Sequence, residues 1–341
     1  MTPPSVLDQQ AASMLPAVER ELQRQVRRMD TPGMSPFHRM LEYHMGWSQA
    51  RSRRPPGGKR VRPLLALLVC RAVGGRWQRA LPAAAALEIV HNFSLVHDDI
   101  QDNSPTRRGR PALWKVYGMP LAINAGDALL TIANLAILDF SRGTPPRTVT
   151  HVARMLQQAC LDLTRGQHLD LSHKQQRSLT VRAYWSMIDG KTAALISACA
   201  EIGAALGGAG TPAQLRYRRF GRLLGAAFQV QDDLLGIWGD EAVTGKSAAT
   251  DLVEGKLSLP VVYALRLNGR FAREWSKPAR SAKRVATLRS LLEEEGAMAY
   301  ATRQAKRLTN AAVAELEALH PHEPAASALN ELVRRLFGRQ A

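Results

Sequence analysis

Apolar residues recur at three- and four-residue spacing along almost all of the 341-residue chain, and runs of strict apolar/polar alternation are absent. Side chains three or four positions apart share one face of an α-helix, whereas strands place every second residue on a face. The pattern therefore predicts an all-α chain and argues against a strand-rich sandwich. Composition agrees: hydrophobic residues make up 45% of the sequence and aromatics only 6%, and the abundant Ala and Leu cost a helix least. Gly and Pro cluster at 31–33, 55–58, 143–146, 207–212, 239–245 and 320–324. These are helix breaks too short for domain linkers, so one domain spanning 1–341 is expected.

The formal net charge of +17 suits a nucleic acid, an anionic membrane or polyanionic small substrates. Much of the excess lies on helical segments such as 19–28 and 216–222, and no dense basic tail, zinc-finger spacing or aromatic-rich RNA motif favours nucleic acid. Cys70, Cys160 and Cys199 are widely spaced and odd in number, which fits a reducing cytoplasm better than a disulfide framework. No signal peptide opens the sequence. The apolar runs at 64–69 and 129–138 fall short of the roughly 20 residues a bilayer requires and read as buried helices.

Two acidic clusters carry the chemistry. In ALEIVHNFSLVHDDIQDNSPTRRGRP an apolar helix runs into Asp98, Asp99 and Asp102 before Pro105. Asp98 and Asp102 are four apart and share a face, at the helix end where the dipole is already negative. A hard divalent cation relieves that repulsion, and magnesium takes oxygen ligands from one or two carboxylates plus substrate phosphates. Arg107 and Arg108 follow at once, and guanidinium forks match phosphate oxygens. The second cluster, FQVQDDLLGIWGDEAVTGKSAATDLVEGK, sets Asp232 and Asp233 on a helix, followed by Asp240, Lys246, Asp251 and Lys256. Upstream, GGKRVRP places Lys59 and Arg62 at the start of an apolar helix, whose N-terminus adds to the field that attracts anions.

These motifs, in this order, resemble the trans-isoprenyl diphosphate synthases, the polyprenyl synthetase family that includes farnesyl and geranylgeranyl diphosphate synthases. The resemblance runs from GGKRVRP through the GKSAATDL region. It implies an orthogonal helical bundle around a central cavity, of the class I isoprenoid synthase type. It also implies a magnesium-dependent head-to-tail condensation of an allylic diphosphate with isopentenyl diphosphate, with three magnesium ions in the site. By resemblance Asp98, Asp102 and Asp232 bind magnesium, supported by Asp99 and Asp233. Lys59, Arg62, His91 and Arg108 resemble the isopentenyl diphosphate site, and Arg107, Lys191 and Lys246 partners of the allylic diphosphate. Thr192 and Gln229 resemble residues facing the allylic cation, Gln167 and Asp170 a further motif of the same cavity, and Lys256 a basic residue beside the second cluster. One position departs from the pattern: Gly236 stands where the family's second motif ends in Asp, with Asp240 a candidate for outer charge.

Product length should be set below the first cluster, by Phe93 and Ser94, and the pair resembles the geranylgeranyl type. A terpene cyclase is the nearest rival, but it has no use for the second diphosphate pocket that Lys59, Arg62 and Arg108 imply. A noncatalytic regulatory subunit should lack metal ligands, which this chain keeps. A homodimer is the expected assembly.

Overall fold

The computed structural model describes residues 4–47, 58, 60–140, 144–174, 176, 178–239, 249–277 and 281–337. They form a succession of helices: α1 Val6–Val26, α2 Ser35–Met45, α3 Val61–Ala72, α4 Leu81–Gln101, α5 Leu113–Tyr117, α6 Met119–Leu138, α7 Pro146–His173 and α8 Val181–Ile188. After these come α9 Ala194–Leu206, α10 Thr211–Trp238, α11 Thr250–Glu254, α12 Leu259–Leu267, α13 Arg270–Trp275, α14 Ala282–Glu294, α15 Ala297–Glu317 and α16 Ala325–Phe337. The all-α expectation holds. Ser5, Thr180 and Ser281 each accept a hydrogen bond from a backbone N–H three residues on, which fixes where α1, α8 and α14 begin.

The chain divides into two compact units. The first comprises residues 1–158, 198–217 and 320–331. Its centre is α4, which packs against α1, α3 and α6. Ala83–Leu87, Ile89 and Val90 are fully buried, as befits a helix that is apolar on every side. The second unit comprises 159–197, 218–319 and 332–341. There α12 packs against α8, α13 and α15, around a core containing Tyr184, Ile237, Leu252, Val262, Phe271 and Leu288.

Two sequence expectations need correction. A two-residue antiparallel ladder pairs Thr106 with Pro111 and Arg107 with Arg110. Its turn residues Arg108 and Gly109 both have positive φ, 54° and 74°, the backbone of a type I′ hairpin; a ladder this short leaves no alternation to read. The apolar segment near 129–138 also extends further than read, as the 20-residue helix α6. By length and composition alone α6 could cross a membrane, but 44% of its apolar window is buried inside the protein, as in a core helix of a helical bundle.

Candidate active site

In the first unit, α4 delivers Asp98 and Asp99 and is capped by Asp102, whose N–H bonds to the Asp98 carbonyl at 2.8 Å. Asp98 is half-buried and Asp102 exposed, whereas Asp99 is buried and paired with Arg107, whose Nε lies 2.9 Å from Oδ1. Burial pushes the Asp99 carboxyl above its ordinary value, and the Arg107 contact opposes that without cancelling it. Asp99 Oδ2 is buried with no hydrogen-bond partner among the described residues. Arg107 thus holds the acidic turn in place.

The basic residues of the same unit also come together. Gly58 has φ of 87°, and a Cβ there would lie 3.1 Å from the Arg108 guanidinium, so Gly58 lies directly beside Arg108. Arg62 lies in the first turn of α3, its Nε buried and unpartnered among the described residues. Burial, and after it the field of Arg62, Arg108 and Arg107, holds the His91 imidazole well below the usual range. Arg62, His91 and Arg108 are therefore neighbours, while Lys59 lies outside the described residues.

Sequence reasoning missed three contributors here. Arg60 adopts a left-handed conformation, φ 47°, and its Nη1 donates to the buried Glu88 carboxylate at 2.9 Å. Among the described residues buried His44 has no hydrogen-bond partner for its Nε2; desolvation, then the Arg108 and Arg107 charges, depress its pKa to about 3. Arg110 lies over the Tyr43 ring at 4.9 Å and donates to the Tyr43 carbonyl at 3.0 Å. None of these carries a local signal; each depends on partners 28 or more positions away or on a turn that no periodicity marks.

In the second unit a short π-helical segment, Asp189–Ala193, follows α8 and carries Lys191 and Thr192; such bulges recur at functional sites. Gly190 lets it approach α7 closely, since a Cβ there would stand 2.6 Å from the Asp162 carbonyl and 2.8 Å from Gly166 Cα. Lys191 is then 2.5 Å from Asp170 on α7, and Gln167 is buried one turn earlier. Thr192 Oγ1 donates to Gln229 Oε1 at 2.7 Å, and Gln229 Nε2 donates to Asp233 Oδ1 at 3.0 Å.

Asp233 is the hub of this network. It also accepts from the Tyr184 hydroxyl at 2.6 Å and the Leu259 N–H at 2.9 Å, with Lys256 Nζ at 3.4 Å. Burial and the Asp233 charge raise the Tyr184 phenol far above its ordinary value. Lys256 is 3.1 Å from Asp251 as well, and although desolvation opposes its charge, Asp233, Asp251 and Asp232 keep its pKa raised. Asp232, the neighbour of Asp233, is exposed instead. Asp240 and Lys246 lie outside the described residues.

The polyprenyl synthetase family profile matches residues 49–294. The chain belongs to the polyprenyl synthetase family. Among its relatives, the (2E,6E)-farnesyl diphosphate synthase of Mycobacterium bovis is 35% identical over 94% of this chain and 90% of that protein. The geranylgeranyl diphosphate synthase of Mycobacterium tuberculosis is 40% identical over 82% of this chain and 81% of that protein. A polyprenyl synthetase structure from Streptomyces coelicolor A3(2) superposes with a TM-score of 0.86 at 34% identity, covering 97% of this chain and 98% of that one. This polyprenyl synthetase is accordingly an all-α prenyltransferase of isoprenoid biosynthesis, and its relatives differ in the product length their names give.

Proposed function

We propose that the chain acts as one functional domain over 1–341 that condenses an allylic diphosphate with isopentenyl diphosphate in a magnesium-dependent, head-to-tail trans reaction. The observation that carries this reading is the grouping of Arg62, His91 and Arg108 in the first unit, with a buried guanidinium nitrogen of Arg62 that has no hydrogen-bond partner among the described residues. A second diphosphate satisfies those donors, and a cyclase acting on one diphosphate has no use for them.

The donor set suits magnesium. Among the described residues no three His, Cys, Asp or Glu side chains gather as a metal site, and magnesium typically uses only one or two carboxylates plus phosphate oxygens and water. Asp98, Asp102 and Asp232 would hold the ions, three in our reading, and Asp99 Oδ2, buried and without a hydrogen-bond partner among the described residues, adds negative potential at that turn. Bound magnesium supplies charge stabilisation to the departing diphosphate. Arg107, Lys191 and Lys246 add fixed positive charge, which acts most strongly where water is excluded. Thr192 and Gln229 present oxygens to the allylic cation, Gln167 and Asp170 line the same region, and Lys256 is fixed by Asp233 and Asp251. Lys59 joins Arg62, His91 and Arg108 on isopentenyl diphosphate.

The product is a short-chain isoprenyl diphosphate, geranylgeranyl diphosphate in our reading. Phe93 supports it: its ring meets His97 edge-on at 4.9 Å, and His97 donates to the Ile123 carbonyl on α6 at 3.2 Å, so the aromatic step is braced rather than mobile. Exposed Leu121, Ile123, Leu135 and Leu138 on α6 support a homodimer, and a cytoplasmic setting fits the free thiols. Incubation with magnesium, isopentenyl diphosphate and each short allylic diphosphate, followed by mass analysis, tests the reading. Condensation products of twenty carbons are expected; allylic substrate consumed equally well without isopentenyl diphosphate refutes it.

A further inference from the structure

The second acidic motif lacks its last carboxylate, because position 236 is Gly. That space is nevertheless occupied by one. A Cβ built on Gly236 would lie 2.6 Å from Asp251 Cγ and 2.6–2.7 Å from its two carboxylate oxygens. Any side chain at 236 would therefore collide with Asp251, and Gly is the residue that lets this carboxylate lie against α10.

The chain is built to bring it there. Ala249 takes the left-handed conformation, φ 57° and ψ 34°, immediately before α11, and Asp251 enters that helix 6% exposed. Its Oδ2 is 3.1 Å from Lys256 Nζ, which in turn is 3.4 Å from Asp233. The Lys256 N–H also bonds to the Asp251 carbonyl at 2.9 Å, so backbone and side chain fix the same pair. Burying a carboxylate is costly unless it is paired and hydrogen-bonded.

We infer that Asp251 supplies, from α11, the carboxylate that α10 omits at Gly236. It is a positioning residue: it fixes Lys256 beside Asp233 and sets the negative potential around Asp232, and so the affinity of this end of the site for magnesium diphosphate. The inference rests on the proposed function and assigns that function's missing group.

The test is a carboxylate relocation. Four proteins are compared, all full chains: wild type, Asp251→Asn, Gly236→Asp, and Gly236→Asp combined with Asp251→Ala. Each is followed by circular dichroism, by the thermal midpoint with and without magnesium plus inorganic pyrophosphate, and by the magnesium dependence of turnover. Asp251→Asn should keep its helical signal and lose most of the pyrophosphate-dependent rise in midpoint. Its magnesium requirement should rise about tenfold or more, as when outer partners of metal ligands are removed. Gly236→Asp should be impaired by the collision, and the double variant should recover the larger part of both readouts. An unchanged pyrophosphate shift in Asp251→Asn overturns the inference, as does a double variant that is unfolded or no better than its worse parent. If the wild type condenses no substrates, the functional reading falls while the thermal comparison still decides the carboxylate question.

Discussion

Glu88→Ala is expected to weaken the fold and the isopentenyl diphosphate site together. Glu88 is 3% exposed and Arg60 6%, with Nη1 to Oε1 at 2.9 Å. Burial opposes the Arg60 charge, and Glu88 followed by Glu19 outweighs it, leaving the guanidinium pKa raised. Removing one member of a buried pair strands the other and typically costs about 3–5 kcal/mol. Glu19 remains 3.2 Å from Arg60 Nε, and the Met45 carbonyl is 3.5 Å from Nη2, so the lower end, about 3 kcal/mol, applies. At roughly 2–4 °C per kcal/mol the thermal midpoint should fall by about 6–12 °C. Arg60 also holds a left-handed backbone at φ 47°, a conformation that persists only when its surroundings enforce it. It lies between Lys59 and Arg62, so its release should raise KM for isopentenyl diphosphate and leave KM for the allylic substrate near wild type. Glu88→Gln, which keeps an acceptor for Arg60 and for the Asn92 amide at 3.3 Å, should show about half the loss. A midpoint within about 1 °C of wild type for Glu88→Ala, or equal rises in both KM values, refutes the argument.

Four further outcomes are expected. Asp98→Ala and Asp232→Ala should each lower turnover by roughly 10²–10³-fold or more with helix content unchanged by circular dichroism; near-wild-type rates in either contradict the metal assignment. Tyr184→Phe removes a 2.6 Å bond to buried Asp233 and should cost about 1.5–3 kcal/mol in urea unfolding, an effect that a matching midpoint would disprove. Phe93→Ala opens the step braced by His97 and should lengthen the products seen by mass analysis, so an unaltered spectrum removes Phe93 as the floor. His44 is neutral when folded, with its pKa lowered to about 3, while the unfolded chain takes up the proton near the ordinary value of about 6.5. Its contribution is therefore complete above that value and is lost as pH falls toward 3, by up to about 1.4 kcal/mol per unit. His44→Gln should flatten the fall in stability between pH 6 and 4, and an identical slope would exclude His44 as its source.

Local features were legible and distant ones were not. The shared face of Asp98 and Asp102 follows from four-residue spacing, and the structure sets both at the end of α4. The helix breaks at 207–212 and 320–324 were visible because Gly and Pro mark them. Tyr184, by contrast, meets Asp233 from 49 positions away, and Glu88 reads in the sequence as a stray charge in an apolar helix until Arg60 is seen against it. The full extent of α6 is not legible in the sequence because Asn124, Gly126 and Asp127 interrupt its apolar run. Gly126 is there for packing: a side chain would enter the space of the His97 imidazole.

The two acidic pairs share a division of labour that spacing alone predicts and burial completes. Consecutive helical residues point about 100° apart, so the two aspartates of a pair cannot serve the same surface. Asp99 and Asp233 are each 1% exposed. The first is held by Arg107, the second by Tyr184, Gln229, Lys256 and the Leu259 N–H. Asp98 and Asp232 are left half-buried and exposed respectively. The second aspartate of each pair is thus the buried anchor, and the first is the more exposed of the two. Replacing an anchor should therefore cost more stability, read by urea unfolding, than replacing its more exposed neighbour, because a buried carboxylate's pairing is the costlier one to break.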